Sequence, residues 1–116
     1  MSHTATVQTE IKDLRAIKDA CKRLGLEAPT QGEHRLFSSS HKGTAVKLKG
    51  WQYPVIFDAT GKAHHDNYGG TWGNPAEFSK FKQAYGVAAA KRAARKKFTR
   101  VREVLRSDGS IDLICE

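Results

Sequence analysis

The sequence has little that would connect it to a membrane or to a metal. It contains no apolar run of about 18 residues, the minimum for a membrane-spanning helix, and residues 1–10 are too polar for a secretory signal. Its two cysteines, Cys21 and Cys115, match no metal-ligand spacing. We therefore expect a cytoplasmic protein with no cofactor and no membrane partner. Both cysteines are interpreted as buried structural thiols, although counting alone leaves a disulfide open.

The chain also lacks internal repeats and long low-complexity linkers. With 116 residues it is long enough for one hydrophobic core and too short for two, so residues 1–116 are predicted to form a single domain. The hydrophobic fraction is only 39%, but two Trp, five Phe and three Tyr supply bulky side chains for a core.

The first half of the chain predicts a strand, a helix and then short strands. Residues 4–11 alternate in polarity as a strand does, and Asp13 can cap a helix with apolar residues at helical spacing that Gly25 ends. Four strand candidates follow, and Pro54 in the third suggests an edge strand because proline cannot donate to a ladder. These candidates are residues 33–37, 45–49, 53–58 and 62–68.

The second half predicts a long helix and a hairpin. Asn74 is suited to be the N-cap, with Pro75 at the first helical position, and an apolar stripe follows at Phe78, Phe81, Tyr85 and Ala88. Downstream, the residues sharing a face are instead Val87, Ala90, Ala94 and Phe98. This switch predicts a kink at Gly86, or a second half of the helix that packs against a different surface.

Residues 99–106 and 111–115 read as two strands joined by an Asp-Gly turn at residues 107–110. The full order is therefore β-α-β-β-β-β-α-β-β. It predicts an α+β fold with a mostly antiparallel sheet and two main helices on one face.

Acidic residues are almost missing from the segment 91–106, where Glu103 stands against eight cations. This segment supplies +7 of the formal net charge of +8, so the rest of the chain is nearly neutral. Concentrated positive charge shared by a helix face and alternate strand positions is typical of phosphate recognition. We expect nucleic-acid binding, RNA or DNA, through these cations: Lys91, Arg92, Arg95, Lys96, Lys97, Arg100, Arg102 and Arg106.

Two other interpretations of the charge stay open. It can be an ordinary solvated surface, or it can dock on an acidic protein partner as a small interaction module or inhibitor. A membrane surface is the weakest of the alternatives, because the face opposite the cations is rich in alanine and offers little apolar area for insertion.

Aromatic residues near loops and strand ends provide a second signal. Bases can stack on exposed Trp51 or Trp72, with Tyr53, Tyr68 and the neighbouring Lys47 and Lys49 alongside. The competing interpretation, favoured for so small a domain, is that these rings cover or fill the core. Trp72, in the glycine-rich loop 69–73, is the best candidate for exposure.

The sequence offers little that would support catalysis. On a strand His64 and Asp66 would share one face and His65 the other, so at most two groups act together without help from His34, His41 or His3. We therefore expect no metal site. The loop 69–73 lacks the Walker lysine and serine and does not match the dinucleotide fingerprint. We therefore interpret the protein as non-enzymatic, with a metal at His64 and Asp66 as the enzymatic alternative.

Several short segments carry a resemblance to a known family. The opening residues Met1, Ser2 and His3, the run Ile-Lys-Asp-Leu at 11–14, and the run Asp-Gly-Ser-Ile at 108–111 resemble the uncharacterised Ycf-type family named after the conserved chloroplast reading frame thirty-five. That family also occurs in cyanobacteria, other bacteria and phages. The order of elements looks similar too. The resemblance implies no reaction and no catalytic residues, and the basic segment departs from relatives, in which the corresponding helix tends to carry mixed or acidic charge.

Overall fold

The computed structural model describes residues 4–67, 70–98 and 100–116. Its order of elements confirms the predicted α+β arrangement. The elements are β1 (Ala5–Gln8), α1 (Leu14–Arg23), β2 (Thr30–Arg35), β3 (Ser40–Val46), β4 (Val55–Phe57), β5 (Lys62–His65), α2 (Pro75–Arg95), β6 (Val101–Leu105) and β7 (Ile111–Cys115).

Five strands form one antiparallel sheet in the order β1-β5-β4-β3-β2, and β6 pairs with β7 in a separate two-stranded sheet. The strands β1 and β2 lie at opposite edges, so α1 carries the chain across the sheet. Four strand spacings amount to about 19 Å, and a ten-residue helix is about 15 Å long, so α1 with its two short connections is sufficient for the crossing.

Local chemistry fixes both ends of α1. The Asp13 carboxylate accepts hydrogen bonds from the backbone N–H groups of Arg15 and Ala16, as an N-cap does. At the other end Gly25 has φ 69°, and the Leu26 N–H donates to the carbonyl of Cys21. This hydrogen bond satisfies one carbonyl of the last turn, which helps the helix end where the sequence predicted.

Both helices contribute to the main core, which lies on one face of the large sheet. From the helices come Ile17, Ala20, Cys21, Phe78, Phe81 and Ala84, and from the strands Val46, Val55, Phe57 and Ala63. Leu36, Ala45 and Ile56 form a small second cluster, joined by the partly buried Tyr53. The opposite face of the sheet carries Ile56 and His64 and has no helix over it among the described residues.

The helix α2 runs without a break through Gly86. Its predicted stripe is correct as far as Ala88, but the predicted change of buried side is wrong. Val87 and Ala94 are only half-buried, and Ala90 and Phe98 are exposed. Within the described chain, no α2 residue after Ala88 is buried, so the last two turns of the helix extend beyond the core.

Several strand boundaries differ from the prediction. The strand β4 is central rather than an edge, because Pro54 lies just before its first residue and no ladder bond is lost there. The strands β2 and β3 begin three and five residues earlier than expected, and β1 ends at Gln8 rather than continuing to residue 11. Tyr68, Thr99 and residues 1–3 lie outside the described residues.

The two cysteines are free thiols, as expected. Cys21 is buried, and burial raises the pKa of its thiol to about 11, whereas Cys115 is exposed, contrary to the prediction. Within the part of the chain that the structure describes, neither helix is long and apolar enough to cross a bilayer.

Candidate nucleic-acid interface

The basic segment occupies a projecting part of the molecule, which we call the basic arm: the end of α2 from Lys91 onward and the β6–β7 hairpin. The α-carbon radius of gyration is 15.0 Å and the extents are 50 × 29 × 23 Å, whereas a compact domain of this length would have a radius of gyration of about 13 Å. A helix of 21 residues is about 31 Å long, longer than any strand of the sheet. The charge is therefore displayed on an extension of the folded core.

The first two cations of the arm are engaged inside the molecule. The Nζ of Lys91 lies 3.4 Å from an oxygen of Glu103, and the Nε of Arg92 lies 3.4 Å from Oδ2 of Asp13. Both side chains are less than one-third exposed. The helix cations Lys91, Arg92, Arg95 and Lys96 were predicted to share one exposed face. Two of them are not free, because Lys91 holds α2 against β6 and Arg92 holds it against the N-cap of α1.

Glu103 connects three elements. Arg23 of α1 donates a hydrogen bond to its carboxylate, and Lys91 of α2 pairs with the same oxygen. Partial burial alone would raise the pKa of Glu103, but the hydrogen bond and charge of Arg23, with Lys91, outweigh it and hold the pKa below its ordinary value. The one acidic residue of the basic segment is therefore ionised and fixes the hairpin to both helices.

Three arginines line the outer face of the hairpin. Arg100 and Glu116 exchange backbone hydrogen bonds of 2.9 and 2.8 Å, so Arg100 continues the β6–β7 ladder. The alternation of the strand then puts Arg100, Arg102 and Arg106 on one side, with Val104 between them. Their ion pairs are exposed: Arg100 and Arg102 lie 4.0 and 3.9 Å from Glu116, and Arg106 lies 2.5 Å from Asp112.

The junction between helix and hairpin carries the least constrained charge. Arg95, Lys96 and Lys97 are exposed and make no ion pair with any acidic side chain of the described residues. These cations break no ion pair within the described chain when they bind an anionic ligand. They are the part of the predicted site that stays available.

Helix α1 adds cations that sequence reasoning missed. Lys22 and Arg23 face Lys91 and Arg95 across a cleft of about 440 Å³ between α1, α2 and β6. No local pattern signals this meeting, because the two pairs are about 70 residues apart in the chain. The cleft is lined by Asp19, Lys22, Arg23, Val87, Ala88, Lys91, Arg95 and Glu103.

Trp51 is not accessible, which corrects its place among the predicted stacking residues. It is only 2% exposed, its Nε1 donates to the carbonyl of Asn74 at 3.0 Å, and its ring packs edge-on against Phe78. A Cβ added at Gly73 would lie 2.3 Å from this ring. The glycine is therefore required by the close approach of the loop to Trp51.

Trp72 belongs to an aromatic cluster that also includes a residue not predicted from the sequence. Its ring centroid lies 5.1 Å from that of Phe37 and 5.6 Å from that of Tyr53. Phe37 is 52% exposed, and Trp72 is partly buried. The cluster lies near the start of α2, so about 30 Å of helix separates it from Arg95.

His64 takes part in a hydrogen-bonded line across the open face of the sheet. Its Nε2 lies 2.7 Å from Oδ2 of Asp58, and its Nδ1 lies 2.9 Å from Oγ1 of Thr6. The sequence placed Asp66 on the same strand face as His64, but β5 ends at His65, and the carboxylate of Asp58 that bonds to His64 comes from the β4–β5 turn. Because an ionised carboxylate only accepts, the His64 Nε2–H donates to Asp58, and the Thr6 hydroxyl is the hydrogen-bond partner of Nδ1.

The neighbouring histidines are held in their neutral form. Desolvation lowers the pKa of His41, and the charge of His64, whose ring stacks on it at 4.0 Å, adds to the effect. Desolvation also lowers the pKa of His65, which packs against Trp51 and Phe78 on the core side. In the described ranges, no group of three or more His, Cys, Asp or Glu side chains could hold a metal ion.

A scan against protein-family models finds no match for this chain, and searches among curated proteins and among solved structures find none similar to it. The resemblance to the Ycf-type family therefore stays a prediction.

Proposed function

We propose that this protein is a non-enzymatic, cytoplasmic nucleic-acid-binding protein whose basic arm contacts the phosphates of RNA or DNA. The observation that carries the proposal is the exposed group Arg95, Lys96 and Lys97, which has no acidic partner in the described chain and lies between a cationic cleft and a row of arginines. Each cation that meets a phosphate releases a condensed counterion, which supplies much of the binding free energy.

The hairpin arginines extend the same contact. Exposed ion pairs such as those of Arg100 and Arg102 contribute about 0–1 kcal/mol each, so a phosphate can replace Glu116 at little cost. Alternate residues of a strand are about 6.7 Å apart, close to the rise of two nucleotides at about 3.4 Å each. Phosphate contacts carry no sequence information, and we therefore infer little sequence discrimination.

Trp72 contributes stacking only to a long single strand. Bridging about 30 Å from Arg95 to the aromatic cluster takes about nine nucleotides at 3.4 Å each in a stacked strand, and fewer in an extended one. A three-nucleotide strand would contact the arm alone. A loss of affinity in Phe37→Ala that is seen only with longer strands would therefore indicate stacking at this cluster.

Fluorescence anisotropy with labelled single- and double-stranded 20-nucleotide probes tests the main proposal. The variant Arg95→Ala, Lys96→Ala, Lys97→Ala should bind single strands at least about tenfold more weakly at low salt, and its plot of log K against log salt should be about 2 units shallower. The control Lys18→Ala, Lys62→Ala, Lys80→Ala removes the same charge from other surfaces and should lose much less. Equal losses in the two variants, or no binding by the unmodified protein, would refute the proposal.

An acidic protein partner is the second candidate, and one observation favours it. Leu105 is 74% exposed and Val104 is 39% exposed on the arginine-bearing hairpin, a mixture typical of protein interfaces. A Leu105→Ser variant should leave oligonucleotide affinity unchanged. A pull-down from nuclease-treated lysate tests this candidate. If the unmodified protein retains a partner that Leu105→Ser does not retain, and if oligonucleotides fail to bind, this second candidate would replace the first.

A further inference from the structure

The helical layer does not reach the β2 edge of the sheet. The helix-side residues of β2 are Gln31, Glu33 and Arg35, and all three are exposed. Because α1 has only ten residues, it covers the middle of the sheet and leaves β2 uncovered. A step in the surface therefore lies between the side of α1 and the exposed face of β2. The step forms a cleft of about 620 Å³, within the range of about 300–1,000 Å³ that small-molecule sites occupy.

The floor of this cleft is apolar and its wall can form hydrogen bonds. Ile17 and Phe57 are 1% and 2% exposed where they line it. Gln31, Thr44 and Phe57 are cross-strand neighbours and form a row across β2, β3 and β4. An amide, a hydroxyl and an aromatic ring are therefore held in fixed order by the sheet, and Thr60 closes the far side.

Two ammonium groups stand at the opening. Lys42 makes no ion pair with any described acidic side chain, including its cross-strand neighbour Glu33. Lys12 pairs with Glu10 at 3.5 Å, but both groups are more than half exposed, so the pair is weak.

The one carboxylate of the lining, Asp58, is already engaged. Its Oδ1 accepts hydrogen bonds from the backbone N–H and hydroxyl of Thr60 and from the backbone N–H of Lys62, and its Oδ2 accepts from His64. The described lining therefore holds two ammonium groups against this one carboxylate, whose oxygens both already accept hydrogen bonds.

We propose that this cleft binds a small organic anion that has a flat apolar body and one terminal anionic group. The apolar body lies on Ile17 and Phe57, and the anionic group meets Lys12 and Lys42 at the opening. This site is separate from the basic arm, since no described residue of the segment 91–106 lines the cleft.

Anilinonaphthalene sulfonate has this chemistry, and its fluorescence rises in apolar surroundings. Titration of the folded protein should saturate at one dye per chain, with amide shifts at Gln31, Thr44 and Thr60. Lys42→Ala and Lys12→Ala should each weaken binding by about fivefold, and the matched control Lys18→Ala should not. The neutral counterpart N-phenylnaphthylamine should bind these variants and the unmodified protein alike.

Equal dye affinity in Lys42→Ala, Lys12→Ala and the unmodified protein would overturn the proposal, and so would amide shifts at the Phe37 cluster instead of the cleft. The Arg95, Lys96, Lys97 triple variant should bind the dye normally. Loss of oligonucleotide binding with normal dye binding in this variant would show that the two sites are independent, so the cleft proposal and the nucleic-acid proposal can be refuted separately.

Discussion

Two glycines of this chain differ completely in the space around them. At Gly73 a Cβ would lie 2.3 Å from the buried ring of Trp51, which the Asn74 carbonyl holds in place. At Gly86, in the exposed middle of α2, a Cβ would meet nothing within 4 Å. Close packing requires glycine at the first position and does not at the second.

Alanine at these positions should change stability in opposite directions. Gly73→Ala should lower the free energy of unfolding by about 1–3 kcal/mol, because the loop or Trp51 must move. Gly86→Ala should raise it by about 0.5–1 kcal/mol, because glycine is the poorer helix former. Urea unfolding measures both effects, and a Gly73→Ala protein as stable as the unmodified one would contradict the packing described here.

At the scale of elements, the β6–β7 hairpin depends on a few polar contacts. A two-stranded hairpin is marginal by itself in water. This one is held by Glu103, which contacts Arg23 and Lys91, and by a hydrogen bond of 3.0 Å from the Gln83 side chain to the carbonyl of Gly109. The same contacts occupy two of the cations that line the cationic cleft.

Glu103→Gln should therefore loosen the hairpin and strengthen oligonucleotide binding. Loss of the carboxylate charge weakens the pairing with Arg23 and Lys91, so β6 and β7 amides should exchange faster with deuterium. The released cations should raise affinity for single strands by about three- to tenfold at low salt. The control Glu33→Gln makes the same charge change on β2 and should do neither. Affinity that rises equally in both variants would indicate a general effect of net charge.

The sequence predicted the elements whose limits depend on neighbouring residues. Asp13, the Asn74-Pro75 pair and the turn at Asp108 and Gly109 act through nearby backbone groups, and the structure confirms the elements they bound. It did not predict contacts between distant segments. Arg92 was expected to be free because its partner Asp13 is 79 residues away. His64 was placed on one strand face with Asp66, and its hydrogen bond to Asp58 across a turn was not foreseen.

The limits of β2 and β3 show a related difficulty. The two strands carry few apolar residues outside residues 44–46, so alternation in polarity gives little signal there. Their pairing, from Thr30 opposite Ala45 to Arg35 opposite Ser40, is instead set by backbone hydrogen bonds and the turn between them. Such pairing leaves almost no pattern in the sequence.

For the molecule as a whole, stability in acid should depend on Asp58. Partial burial would raise its pKa, but hydrogen bonds from Thr60, His64 and Lys62 outweigh that effect and hold the pKa far below its ordinary value. A carboxyl group whose pKa is lower in the folded state than in the unfolded state stabilises the fold when the pH is above its unfolded-state pKa of about 4. This stabilisation is lost as the pH falls toward the folded-state pKa. The line from Asp58 through His64 to Thr6 joins the β4–β5 turn to β5 and β1.

Asp58→Asn should lower the free energy of unfolding at neutral pH by about 1–3 kcal/mol, because a partly buried hydrogen-bond network loses its charged acceptor. The difference from the unmodified protein should shrink as pH falls below about 4. Denaturant unfolding at several pH values measures this. Asp112→Asn changes an exposed hairpin carboxylate and should have little effect, and a constant difference at all pH values would exclude the linkage.

The pairing of β1 with β5 also has a consequence for synthesis of the chain. Ala5 lies opposite His65, whereas β2 to β5 each pair with the strand next to them in sequence. On a ribosome that adds about 5–20 residues per second, the first strand waits roughly several seconds for its neighbour to be made. Until then it has no partner in the sheet, so we expect a nascent chain halted before residue 62 to be cut by proteases within residues 4–13. A chain released after residue 95, with β5 and α2 both complete, should be protected there.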